Sequence, residues 1–208
     1  MVTLGFTYFN VKVNLISFKW LTPTKNKPIM NHQNETGQFT MNIFYTNECP
    51  IQAANEHNHV HQVKMIVEYA QLLSSAHHEL DGDNAIDGIY KKTHVNHPSA
   101  VWARKSYDHY VWVWECAMQL CANYTERTGK VHKTQVTLDA LAVTPVNIPE
   151  HGFTNPPVAA PDEFKAIAAF GDTCKAYQKY LCAKFDEWLS RDKPMRVEFT
   201  EVPAWYVS

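Results

Sequence analysis

Nine of the eleven histidines fall between His57 and His132, and the stretch that opens this window sets polar side chains in one row when read as a helix. From His57 the row runs through His61, Lys64, Glu68, Gln71, Ser75 and His78, in steps of four and three that return to one side of a helix. Val60, Val63, Val67 and Ala70 flank the row, with Met65, Ile66, Leu72 and Leu73 further round. A surface helix would alternate Lys and Glu there. This row instead offers imidazoles, an amine, a carboxylate and an amide, groups that move protons or attack an electrophilic carbon.

Amine chemistry is one use of such a row. Lys64 and Glu68 lie one turn apart, which by itself specifies a simple ion pair. The flanking imidazoles and apolar side chains are expected to desolvate Lys64 and favour its free amine, with Glu68 moving protons beside it. Metal binding is a second use, with His57 and His61 on adjacent turns and His94 or His97 as a third ligand. No H-E-x-x-H stands in the chain, so no metal or other cofactor is assigned, and metal-dependent hydrolysis remains an alternative. A third is purely structural, the row being a buried hydrogen-bond network that fixes helix packing.

Two further segments carry groups suited to binding. In HVNHPSAVWARKSYDHYVWVW, His94, His97, Trp102, Arg104 and Lys105 combine rings and cations that can hold a base or a sugar, while Tyr110 and Trp114 are expected in the core. RTGKVHK places Arg127, Lys130 and Lys133 at a helix end, where they can grip phosphate.

The elements that must position these groups are mainly helical, in one compact domain with three long helices and proline-rich connections. The first long helix carries the polar row. A second runs roughly from 99 to 127 with apolar Val111, Trp114, Met118, Cys121 and Ala122, and stops at Gly129. A third runs from about 161 to 189 behind PDEF. One short strand is expected near 42–45, a turn over DGDNAIDG, and an extended connection over 134–161.

Residues 1–40 differ from the rest. Thr22 to Thr40 is polar and aperiodic, so the compact domain is expected to span 41–208 behind a poorly ordered extension. That extension holds four lysines against one glutamate, so within a net charge of -2 the remainder is acidic and has no broad basic face. The five cysteines form no C-x-x-C pair and are expected to be buried free thiols in a reducing compartment. No apolar run reaches membrane-span length, and a monomer is expected.

From Met41 the chain resembles a group of small tailed-phage proteins that begin with MNIF and carry H-x-x-K-M and Q-L-L-x-x-A-H. Here the matching pieces are 41–44, 61–65 and 71–77, followed by THVNHPSAVWAR, RTGKVHK and VPAWY. More distantly it is similar to the phage pyrimidine-dimer DNA glycosylases called endonuclease V. That family has a histidine seven residues before its catalytic glutamate on an early helix, matched by His61 and Glu68, and a late aromatic stretch matched by Trp205 and Tyr206. The resemblance implies a DNA-repair glycosylase with lyase activity, acting on double-stranded DNA in the cytoplasm of a phage-infected cell. Its nucleophile is a terminal amine, which corresponds here to Asn42 once a methionine at 41 is removed. A forty-residue extension blocks that amine, and Lys64 is then the amine on the same row.

Overall fold

The row-bearing helix begins two residues later than its pattern suggests, because Asn58 caps it. The Asn58 side-chain oxygen accepts the His61 main-chain N–H at 2.7 Å, fixing the start of a helix that covers His59–Leu80. His57 therefore lies before this helix, closing a short preceding one, Pro50–Asn55, through its N–H to the Ala54 carbonyl. The computed structural model describes residues 41–206, so both the extension over 1–40 and the last two residues lie outside the described residues. Within that span the chain is all helical: α1 (Pro50–Asn55), α2 (His59–Leu80), α3 (Pro98–Ala103), α4 (Tyr107–Thr128), α5 (Gln135–Ala140), α6 (Asp162–Ala169) and α7 (Thr173–Leu189).

Three helices are long, α2, α4 and α7, as the periodicity predicts, but two expected boundaries differ. The second long helix is broken at 104–106, where Ser106 is extended and the Tyr107 N–H bonds the Pro149 carbonyl instead of a helical one. The third is broken at Gly171, whose φ of +97° suits glycine, and Asp172 restarts α7 by accepting the Lys175 N–H at 2.8 Å. The extended 134–161 connection contains α5, and the DGDNAIDG turn contains a single 3₁₀ turn at Gly82–Asn84. The strand near 42–45 is absent. Its apolar side chains are buried, but its main chain finds side-chain and local partners in place of a neighbouring strand.

The core forms where α2 packs on α4, with α1 and α3 closing the sides. Met65, Ile66, Tyr69, Leu72 and Leu73 of α2 meet Val113, Cys116, Ala117 and Leu120 of α4, all fully buried. Each such aliphatic side chain contributes roughly 1.5–3 kcal/mol of burial. The inward face of α4 is rotated from the expected one, since Val111, Trp114 and Met118 are half-buried and Ala122 is exposed. Cys116 and Cys121 are buried as expected and Cys49 is exposed, because it caps α1 instead of packing.

α7 joins this body through the segment that opens the domain. Phe44 packs its ring on His61 of α2 at 4.6 Å and on Tyr177 of α7 at 6.3 Å, while Gln178 donates to the Thr46 carbonyl. Residues 41–46 thus bridge α2 and α7, and polar groups of both helices meet at this seam.

Candidate functional site

Most of the polar row is buried or half-buried, with Lys64 exposed, while Val60 and Val63 of its valine flank face out. His61 and Glu68 are buried, whereas Val60 and Val63 are each 38% exposed. α2 thus buries part of its polar row beside its apolar core face, and the buried carboxylate has to find partners.

Glu68 finds two nitrogens. Its Oε1 pairs with Lys64 Nζ at 3.1 Å, and its Oε2 accepts the main-chain N–H of Asn42 at 3.3 Å. Asn42 is fixed in turn: its amide donates to the Ala159 carbonyl at 2.9 Å and its Oδ1 accepts the Tyr177 hydroxyl at 3.0 Å. Burial raises the Glu68 carboxyl above the ordinary range, opposed by the charge and hydrogen bond of Lys64, the Asn42 N–H and the charge of Lys184. Glu68 is therefore a carboxylate that takes up a proton more readily than a surface glutamate.

Lys64 is not desolvated as its neighbours suggest, since its side chain is 42% exposed and engaged by Glu68. The lysine that is desolvated is one the sequence pattern passes over. Lys184 of α7 holds its Nζ 5.5 Å from the centre of the Tyr180 ring and 5.6 Å from that of Trp188. Burial lowers its affinity for a proton, with the Lys64 charge adding to the effect. Tyr177, Tyr180 and Lys184 follow one another at steps of three and four on the α7 face that meets the seam.

His61 stands beside this group without touching Glu68 through a hydrogen bond. Its ring lies against Phe44, Phe185 at 5.5 Å and Trp188 at 5.1 Å, and its Nδ1 is buried without a partner. Burial first, then the charges of His57, Lys184 and Lys64, hold it neutral. His57 is also buried; its Nδ1 donates to the Ala53 carbonyl, and burial lowers its pKa to about 4.

The remaining expected site residues divide between the seam and the rest of the surface. Gln71 is half-buried one turn beyond Glu68. Ser75 and His78, in the same row, tie down the 89–97 loop: Ser75 bonds both main-chain groups of Thr93, and His78 the Tyr90 carbonyl. His94 sits in that loop at φ +49°, and His97 caps α3 by accepting the Ser99 N–H. Arg104 donates to the Val95 carbonyl, and Lys105 is exposed. None of these supplies a partner to Glu68 or His61, whose surroundings come from residues 41–46 and α7. Trp102 lies in the core instead of on a contact surface, because its ring stacks on His109 at 4.2 Å and its Nε1 donates to the Thr154 carbonyl.

Arg127 reaches back to the Gln62 side chain at 3.0 Å, while Lys130 and Lys133 are exposed beyond the α4 cap. Trp205 donates to Glu56 at 2.9 Å, and Tyr206 sets its edge on Phe185 at 5.5 Å, so the tail supports His61 from behind. A polar cleft of about 440 Å³ is lined by Asn55, His59, Gln119, Asn123, Arg127 and Glu201, among others, and a groove of about 600 Å³ runs between α6 and α7; neither includes Glu68. Among the described residues no three His, Cys, Asp or Glu side chains converge as a metal requires, so His94 and His97 do not complete a site with His57 and His61. No described helix is long and apolar enough to cross a membrane. The chain matches none of the protein-family models, curated proteins or solved structures with which it was compared.

Proposed function

We propose that the protein is a DNA base-excision enzyme of phage type, a glycosylase with lyase activity that acts on damaged or modified pyrimidines through a Schiff base. One observation carries the reading: a buried carboxylate, Glu68, held against the residue-42 main-chain nitrogen on one side and a lysine on the other. Attack of an amine on C1′ of a nucleotide expels the base and leaves an imine. Loss of the C2′ proton then breaks the C3′–O bond with phosphate as the leaving group. Glu68 stabilises the cationic sugar and transfers protons, a task suited to a carboxyl raised by burial. In the 208-residue chain the Asn42 nitrogen is a peptide amide and cannot attack; in a product that opens at Asn42 it is an amine 3.3 Å from Glu68. The exposed Lys105, Arg127, Lys130 and Lys133 supply phosphate contacts for double-stranded DNA, and the protein works as a monomer in the cytoplasm of an infected cell.

Borohydride trapping tests this directly. DNA containing an abasic site or a pyrimidine dimer is expected to yield a covalent complex, because hydride reduces the imine before it hydrolyses. Absence of any adduct with both DNAs overturns the reading, and intact mass of the native protein shows whether residue 42 carries an amine. The structural reading of the row is favoured by the Ser75–Thr93 bonds, which spend that end of the row on loop packing. It gains if trapping fails while the fold survives.

A further inference from the structure

The proposed chemistry needs an amine with a free lone pair, and the two lysines at the seam differ in this respect. Lys64 is engaged directly by Glu68 at 3.1 Å. Lys184 has no hydrogen-bond or ion-pair acceptor among the described residues; its Nζ lies over two rings, Tyr180 and Trp188. Trp188 also touches His61, and the charges of Lys64 and Glu68 both act on Lys184, so this amine belongs to the same cluster as the carboxylate. Glu187 of the same helix and Arg191 just beyond its end bias it with opposite signs and are joined to each other at 2.7 Å.

We propose that Lys184 is the attacking amine of this site and that Lys64 is the cation that keeps Glu68 charged between turnovers. This assignment rests on the base-excision reading, and it names an aldehyde or an anomeric carbon as the group attacked. The attraction of the two rings for an ammonium works against release of the proton. Burial and the Lys64 charge act the other way and make Lys184 less firmly protonated than an ordinary lysine. On an abasic site the Nζ lone pair adds to the C1′ aldehyde, water leaves, and a C=N bond forms. Glu68 takes a proton from nitrogen and hands it to the carbinolamine oxygen, which departs as that water. Hydride from borohydride then adds to C1′ and fixes the link as a secondary amine.

The test uses the full chain in two arms. In the first, the protein is mixed with abasic-site DNA and borohydride, digested, and the modified residue located by mass spectrometry. The adduct is expected on Lys184, and Lys184→Arg, which keeps the charge and the ring contacts but is not a nucleophile, should lose it. An adduct on Lys64 or elsewhere, or trapping that survives in Lys184→Arg, overturns the assignment while leaving the base-excision reading intact. In the second arm, without DNA, formaldehyde and cyanoborohydride at neutral pH should methylate Lys184 ahead of the exposed Lys105 and Lys133. Slow methylation of Lys184 overturns the assignment whatever the first arm gives. Fast methylation with no DNA adduct overturns base excision and the DNA aldehyde as its target.

Discussion

In the first half of α2 the buried polar groups are left with bonds unmade or charges opposed, whereas in the second half most are spent on the main chain, the Nδ1 of His77 being the exception. His61 Nδ1 has no partner, and Glu68 is a buried carboxylate with a raised affinity for protons. Two turns later, Ser74 donates to Ala70 and accepts from Tyr90, Ser75 binds both groups of Thr93, and His77 Nε2 meets the Tyr110 hydroxyl and the Val143 carbonyl. Asp81, next after the helix, accepts two main-chain N–H groups and one amide from 146–147. The residue types are similar and the helix is continuous. What differs is the neighbour: connecting loops with main-chain groups to satisfy on one side, a second helix with a lysine and aromatic rings on the other. Fully satisfied polar networks fix structure, and incompletely satisfied ones are available for chemistry.

That contrast is broken most readily by acid. His57 is held at about 4 against an ordinary 6.5, so the stability of its neutral form is fully present above 6.5 and lost as pH falls towards 4. This amounts to about 3 kcal/mol, and denaturant unfolding at pH 7 and pH 4 should show it, with His57→Leu flattening the difference. A stability independent of pH across that window contradicts the buried neutral imidazole. Next in size, Glu68→Gln should lower cleavage of abasic DNA by about 100-fold with the melting temperature maintained, since it removes proton transfer and keeps shape. In the other half, Asp81→Ala should cost about 2 kcal/mol of stability by leaving the Val146 and Asn147 main-chain N–H groups without their acceptor, without changing cleavage. Ser75→Ala should cost about 1 kcal/mol, again with cleavage intact. Loss of activity in either of these last two variants erases the division between the halves.

Much of this was legible in the chain. The helical class, the three long helices and the row from His61 to His78 follow from periodicity, and the Gly129 stop and the DGDNAIDG turn from residue type. The breaks at 104–106 and Gly171 were not, because a serine and a glycine within apolar periodicity read as tolerated exceptions until tertiary partners such as Pro149 are known. The direction of the row was also hidden, since residues 41–46 bury it by long-range contact. At the candidate site, Glu68 and Lys64 follow from the residue pattern and Asn42 from the family resemblance alone. Lys184 and Tyr177 were missed although they recur at helical steps with Tyr180, because the third helix was read only for its apolar positions. Trp102 misled because a ring beside cations looks the same in a core and on a surface.

The central claim is that Glu68 is a carboxylate kept uneasy by burial at the seam of α2 and α7, ready to exchange protons. Carbon-detected NMR of glutamate-labelled protein, with Glu68→Gln identifying the signal, measures this without any assumed substrate. The account predicts a Glu68 titration midpoint above the ordinary glutamate value of 4.5; a midpoint at or below it would mean that Lys64 and the Asn42 N–H fully satisfy the charge, and that this half of the helix is as structural as the other.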